Sequence, residues 1–195
     1  MQVSATITES IQESIRVKTA VLNDPALLQR IAAASQLLTV CFQQGGKVLF
    51  CGNGGSAADA QHLAAELSGR FYLNRPPLFA EALHVNSSYV TAVANDYSYD
   101  VVYARMVEAA GRSGDVLVAI STSGNSGNIL AAIEKARAQG MKIIGMTGAS
   151  GGKMADLCDV LLNVPSTDTP RIQESHILMG HILCQMTEQT LFSEQ

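Results

Sequence analysis

Apolar positions along this 195-residue chain alternate between two spacings, and glycines mark most of the changes. Over residues 4–22 they recur at Ile7, Ile11, Ile15 and Val21, the spacing of one helix. Asp24-Pro25 reads as an N-cap followed by proline in the first turn, and a second helix is expected over 25–44, stopped by Gly45-Gly46. Beyond it the pattern shortens to compact apolar runs, which predict strands at 47–51, 116–120, 142–146 and 160–164, with a less regular one at 78–85. Helical spacing returns between them, over 56–68, 87–94, 99–110, 126–139 and 153–157. A last helix, over 172–191, is entered after Pro170. Gly69, Gly111 and Gly140 close three of these helices.

Five short apolar strands separated by helices predict an α/β fold: a five-stranded parallel sheet flanked by helices in three layers. No repeat or linker interrupts it. The reading is one domain over 1–195, with an N-terminal helical hairpin at 4–44 and an α/β core at 46–195. The Ala- and Ile-rich hairpin carries more apolar surface than one sheet face can cover. Either an oligomer interface or an intramolecular bundle would account for that. In open parallel sheets, ligands bind beyond the carboxyl ends of the strands.

Two short segments lie at such ends, Cys51-Gly-Asn-Gly-Gly-Ser56 and Ile120-Ser-Thr-Ser-Gly-Asn-Ser126. Each follows a strand pattern and opens a helical one. Glycines let backbone amides approach an anion, and the helix that follows adds its positive end. The second segment adds the hydroxyls of Ser121, Thr122, Ser123 and Ser126, which makes it the better anion cradle; the plain alternative is a serine-rich turn with Ser126 capping the helix. The first segment lacks the Lys-Ser/Thr of a P-loop. It comes close to a dinucleotide fingerprint, but the nearest candidate ribose partner, Glu81, lies about 30 residues on rather than about 20. Together the two turns suggest a phosphorylated, polyhydroxylated ligand.

Composition narrows the field. A net charge of −4 with 15% charged residues argues against a nucleic-acid surface. No basic-then-apolar leader is read at the N-terminus, and no apolar stretch approaches the roughly 20 residues of a membrane span, so a cytoplasmic protein with no membrane partner is expected. Cys41, Cys51, Cys158 and Cys184 are scattered in apolar surroundings and read as buried thiols.

Five positions on two helices carry candidate chemistry. His62 and Glu66 are spaced i, i+4 and share a helix face, where they could hold a divalent metal, move protons together, or make a surface hydrogen bond. On the last helix Gln173, His176 and His181 interrupt an apolar pattern, with Gln173 and His181 within roughly 80° of one another. Any of these could instead be a core residue with a local partner. His84 fits no pattern and reads as structural. Asn95-Asp96 could bind hydroxyls or cap the helix at Tyr99.

Taken together these residues resemble the sugar-isomerase (SIS) domain family, and within it the bacterial phosphoheptose isomerases. The resemblance runs through both turns, Ala57-Ala-Asp-Ala-Gln-His62, Glu66-Leu-Ser-Gly-Arg70, Asn74-Arg-Pro76, Asn95-Asp96, Gly114-Asp-Val-Leu117, Thr147-Gly148, Gly151-Gly-Lys-Met154, Arg171-Ile-Gln-Glu174 and Gly180-His181. It implies that Ser121, Thr122, Ser123 and Ser126 hold a substrate phosphate. Asn53, Gly54 and Gly55, with Asn95 and Asp96, would bind the hydroxyl chain, and Ser56 lies beside them. Glu66 would be the catalytic base and His181 the partner acid/base. In zinc-binding members His62, Glu66, Gln173 and His181 match the metal ligands, one zinc per subunit. The implied activity is conversion of sedoheptulose 7-phosphate to D-glycero-D-manno-heptose 7-phosphate through an enediol, the first step toward ADP-heptose and lipopolysaccharide core. The implied assembly is a homotetramer with active sites between subunits, bringing the last helix of one chain near the first turn of another. Pro170 stands where some members have an acidic residue, which leaves the part played by Asp168 open. The non-catalytic relative that associates with the initiator DnaA differs at the first turn and lacks a carboxylate at the position of Glu66. A SIS-type sugar-phosphate sensor would normally be joined to a DNA-binding domain, and none is seen here.

Overall fold

Alternate side chains of five strands enter two separate cores. The computed structural model, which describes residues 2–193, has strands β1 (Val48–Gly52), β2 (Ala80–Ala82), β3 (Val116–Ile120), β4 (Lys142–Thr147) and β5 (Val160–Asn163). They form one all-parallel sheet in the order β2-β1-β3-β4-β5. Val48, Phe50, Val116, Val118 and Ile120 point to one face; Leu49, Cys51, Leu117 and Ala119 point to the other. Helices α1 (Gln2–Leu22), α2 (Pro25–Gln43), α3 (Gly55–Ser68) and α7 (Thr169–Phe192) contribute to the first core. Helices α4 (Ser87–Asp96), α5 (Val102–Ala110) and α6 (Gly127–Ala138) cover the second. The three-layer expectation holds, with burial on both faces making β1 and β3 continuous apolar runs.

The strand order reverses direction beside β1, because β2 lies on one side of it and β3 on the other. The carboxyl ends of β1 and β3 therefore flank the switch point where such sheets bind ligands. Both glycine/serine turns start there.

Several boundaries differ from the sequence expectation. The strand expected at 78–85 is only three residues long, because it pairs with β1 alone and its flanks Phe79 and Val85 are exposed. The helix expected at 99–110 begins as a 3₁₀ turn, Tyr99–Val101, with the Ser98 side chain accepting from the Asp100 amide. At 153–157 only a 3₁₀ turn, Gly152–Met154, forms. The last helix starts earlier than expected, at Thr169, since Pro170 fits its first turn without losing a helical hydrogen bond.

Helix α2 also amends the membrane expectation. Its 19 residues carry one charge, Arg30, and are long and apolar enough to cross a membrane by length and composition. Leu27, Ile31, Ala34 and Leu38 are nevertheless buried in the first core, where α2 packs on α7 and β5. Helix α1 is anchored by Val17 and Val21 and by Ser14, whose hydroxyl donates to Glu174 Oε2 at 2.6 Å. Its outer stripe of Ile7, Ile11 and Ile15 is 55–60% exposed, so an intramolecular bundle does not absorb the surplus apolar surface.

Candidate active site

The first turn is held from three sides. Gly54, at φ 55°, adopts a conformation that glycine tolerates and places the start of α3 directly after it. The Tyr103 hydroxyl donates to the Gly52 carbonyl at 2.5 Å. Asn53 exchanges two hydrogen bonds of 2.9 Å with the buried Asn128 amide, and its Oδ1 also accepts from the Tyr99 hydroxyl at 3.2 Å. Since Asn128 lies in the first turn of α6, this amide pair ties the first anion-type turn to the second. Ser56 is buried in the first turn of α3. A Cβ at Gly55 would fall 2.5 Å from Gln173 Nε2, so the end of that side chain packs directly on the glycine.

In the second turn three hydroxyls converge. Ser121 Oγ lies 3.0 Å from Ser126 Oγ and 3.5 Å from Ser123 Oγ. Ser126 occupies the N-cap of α6, yet its side chain makes no cap hydrogen bond. The capping alternative therefore fails: the hydroxyl is turned toward Ser121 and away from the helix amides. Thr122 and Ser123 line a cavity of about 300 Å³, shared with Gly148, Ser150, Ser166 and Thr169. Asp168 is exposed beside it at the N-cap of α7, with no side-chain cap bond.

About two turns along α3 the chemistry gathers. His62 Nε2 is 3.1 Å from Glu66 Oε1, and 3.1 Å from His181 Nε2 on α7. The ligand atoms of His62, Glu66 and His181 all lie within 4.8 Å of one another, over an open depression of about 430 Å³ lined in part by Ala58, Gln61 and Ala65. Burial and the neighbouring His62 hold the His181 imidazole below its ordinary pKa, with Glu66 acting in the opposite sense. Two facing imidazole nitrogens need either a shared proton or a cation between them. Two nitrogens and a carboxylate oxygen at this spacing suit zinc, whose bonds of about 2.0–2.1 Å leave an open fourth position in catalytic sites. The i, i+4 pair is thus a three-residue cluster, and the contact between α3 and α7 forms within one chain. Gly180 and Leu63, packed together in the first core, hold these two helices of one chain side by side.

Gln173 is placed apart from this cluster. It sits eight residues before His181, about 12 Å along the helix by its rise, with its amide against Gly55. Asn95 and Asp96 are exposed at the end of α4, and Asn95 Nδ2 donates to Asp96 Oδ1 at 2.9 Å. His176 is the core histidine of the alternative reading: fully buried, its Nε2 lies 3.1 Å from the Thr147 carbonyl, and burial lowers its pKa to about 4. His84 is half-buried and outside the cluster.

Some contributors were not legible from motifs. Asp59 precedes His62 by one turn; burial pushes its carboxyl up to about 6, His62 opposing, and its Oδ2 is buried without a hydrogen-bond partner. Arg75 and Glu188 form an ion pair at 2.9 Å with both side chains 1% exposed. A signal was available for Glu188. It stands seven residues after His181, within about 20° of it on the same helix face, as a charge in an otherwise apolar stripe.

Residues 11–148 match the family described as SIS domain. The chain is 53% identical over 193 residues to the phosphoheptose isomerase of Mycobacterium tuberculosis (strain ATCC 25177 / H37Ra), covering 99% of this chain and 98% of that one. Among solved structures, it resembles the phosphoheptose isomerase of Neisseria gonorrhoeae with a TM-score of 0.90 and 44% identity, covering 96% and 99% of the two chains. For the Francisella tularensis phosphoheptose isomerase the TM-score is 0.92 with 40% identity, covering 97% and 100%. With this fold, both hydroxyl-bearing turns at the switch point and the His62–Glu66–His181 cluster farther along α3, the chain belongs to the SIS-domain family and, within it, to the phosphoheptose isomerases.

Proposed function

We propose that this protein is an aldose–ketose isomerase that converts sedoheptulose 7-phosphate to D-glycero-D-manno-heptose 7-phosphate. The observation that carries the reading is the meeting of Glu66 with His62 and His181 between α3 and α7, in a chain that also builds the Ser121–Ser126 hydroxyl turn. Hydroxyls of Ser121, Thr122, Ser123 and Ser126, with the α6 amides, bind the phosphate and fix the far end of the sugar. That anchoring orients carbons 1 and 2 without itself taking part in bond changes. Backbone amides at Asn53, Gly54 and Gly55, together with Asn95 and Asp96, contact the hydroxyl chain. Glu66 moves a proton between carbons 1 and 2 through an enediol. His181, held neutral by its surroundings, moves a proton between the two oxygens.

His62, Glu66 and His181 would hold one zinc ion per subunit; the family pattern adds Gln173 as a fourth ligand, whose amide in this structure lies against Gly55. Zinc bound there supplies a Lewis acid that polarises the carbonyl oxygen. The exposed Ile7, Ile11 and Ile15 stripe supports assembly into a homotetramer, to which the open depression beside Glu66 would contribute a subunit boundary. We place the reaction in the cytoplasm, where charged sugar phosphates are retained, at the head of ADP-heptose and lipopolysaccharide-core synthesis.

The test is purified protein with sedoheptulose 7-phosphate, the aldose product being followed by NMR. Glu66→Gln should lower turnover by about 10²-fold or more without unfolding the chain. Appearance of no heptose phosphate with metal-replete wild-type protein overturns the assignment.

A further inference from the structure

We propose that Arg75 and Glu188 are positioning residues for the isomerase site, fixing the end of α3 that carries Glu66 and seating Phe71 against His181. The proposal rests on the isomerase reading above. Its geometric part begins at the segment between α3 and β2, which has no regular structure and so needs other groups to fix its path. Glu188 supplies them. Its Oε2 accepts from the amides of Tyr72 at 2.7 Å and Leu73 at 2.9 Å, and its Oε1 accepts from the Phe71 amide at 3.1 Å and Arg75 Nε at 2.9 Å. Burial penalises the Glu188 carboxylate, but these four donors outweigh it and keep the group ionised.

Arg75 completes the connection to α3. Its Nη2 donates to the Glu66 carbonyl at 2.9 Å, and its Nη1 to the carbonyls of Leu67 at 2.7 Å and Pro76 at 3.1 Å. Carbonyls in the last turn of a helix lack intrahelical partners, and a cation there also complements the helix dipole. One guanidinium therefore holds the backbone of the proposed base itself. The segment that Glu188 gathers carries Phe71, whose ring stacks on the His181 imidazole at a centroid distance of 5.5 Å and an angle of 30°. His181 and Glu188 share a face of α7, so the pair links both halves of the cluster through one rigid helix. A wholly apolar replacement would fill the same space, since buried ion pairs are often no more stabilising than hydrophobic residues of equal volume. What an apolar replacement lacks is directional grip on the Glu66 carbonyl and the Phe71 amide.

The experiment compares wild type with Arg75→Lys, Glu188→Gln and Phe71→Leu, each checked for folding by circular dichroism. Lysine keeps the charge but loses the planar fork that reaches Glu188 and the α3 carbonyls together. Arg75→Lys and Glu188→Gln should lower kcat by about tenfold or more with KM within about threefold, as expected for a displaced rather than a missing catalytic group. In metal-free protein labelled with ¹³C-histidine, the ring-proton shifts of His181 should move in all three variants, because the Phe71 ring current is lost or re-aimed. Folded variants with wild-type kcat and unmoved His181 resonances would reduce the pair to a loop clamp and overturn the proposal. Should Arg75→Lys and Glu188→Gln fail to fold, Phe71→Leu, which leaves the ion pair intact, decides by the same two readouts. Loss of turnover in wild type would instead overturn the isomerase reading, and the His181 resonances would still report whether the pair sets its surroundings.

Discussion

Gly180→Ala tests whether the spacing of α3 and α7 sets the activity. A Cβ at position 180 would sit 2.4 Å from Leu63 Cδ1, 2.6 Å from Cδ2 and 3.1 Å from Cγ. The whole isobutyl group is in the way, so turning one methyl does not relieve the clash. Leu63 is 2% exposed, and the adjoining void between Leu38, Phe50 and Leu183 is about 10 Å³, at the lower limit for even a water molecule. Carbon atoms settle at about 3.5–4.0 Å, so relief requires α3 and α7 to part by roughly 1 Å. Alanine gains about 1 kcal/mol in helix propensity, and overpacking costs about 1–3 kcal/mol, for a net loss of up to about 2 kcal/mol. Activity should suffer more. Leu63 and Gly180 adjoin His62 and His181 in sequence, and a misplacement of about 1 Å at a catalytic group can cost on the order of 10²-fold. Urea unfolding and steady-state kinetics on Gly180→Ala, Leu63→Ala and the double variant form a cycle. The double variant should recover part of kcat and be less destabilised than the sum of the single changes. Additivity within about 0.5 kcal/mol, with wild-type kcat in Gly180→Ala, would refute the argument.

Other changes separate the parts of the site. Glu66→Gln should lower kcat by about 10²–10⁴-fold while leaving the unfolding midpoint near wild type; activity within a few-fold of wild type would remove Glu66 as the base. Ser121→Ala or Ser126→Ala should raise KM for the sugar phosphate and the inhibition constant of inorganic phosphate by about tenfold, since each deletes a hydrogen bond to a charged group. Asn128→Ala should cost about 1–3 kcal/mol in urea unfolding by leaving the Asn53 amide without its partner, and should raise KM as the two turns lose register. For His176 the sign is set by burial: the unfolded chain takes up a proton below about 6.5, the folded protein only below about 4. Stability should therefore be flat above pH 6.5 and fall as pH drops toward 4, by on the order of 3 kcal/mol; His176→Gln should flatten that window in urea titrations at stepped pH. Chelation followed by zinc add-back should remove and restore turnover, and activity unchanged by both would set the metal aside.

How much of this the chain announces depends on whether a partner lies nearby in sequence. The strands were legible because both of their faces are buried, which makes residues 116–120 apolar without interruption. Residues 47–51 and 142–146 were legible for the same reason, within one residue of the observed bounds. The expectation at 78–85 overextends the edge strand because Leu83 stays buried beyond the last paired residue, so the apolar pattern outlasts the pairing with β1. His62 and Glu66 were visible as an i, i+4 pair, but that spacing is equally consistent with a surface hydrogen bond. What separates the readings is a second nitrogen, from α7 and more than a hundred residues away, and only tertiary packing supplies it. Ser126 shows the converse case. A local rule marks serine at that position as a cap, and the fold overrides the rule by turning its hydroxyl toward Ser121. The family resemblance makes Asn53 a ligand group, yet Asn128 and Tyr99 occupy both acceptor directions of its Oδ1 and one of its amide hydrogens. Its side chain is therefore a strut between the two turns. Asn53→Asp keeps both acceptor bonds, loses the donor to Asn128 and puts a negative charge beside the hydroxyl turn. It should weaken phosphate inhibition more than Asn128→Ala does; equal effects in that assay would show that the strut matters through geometry alone.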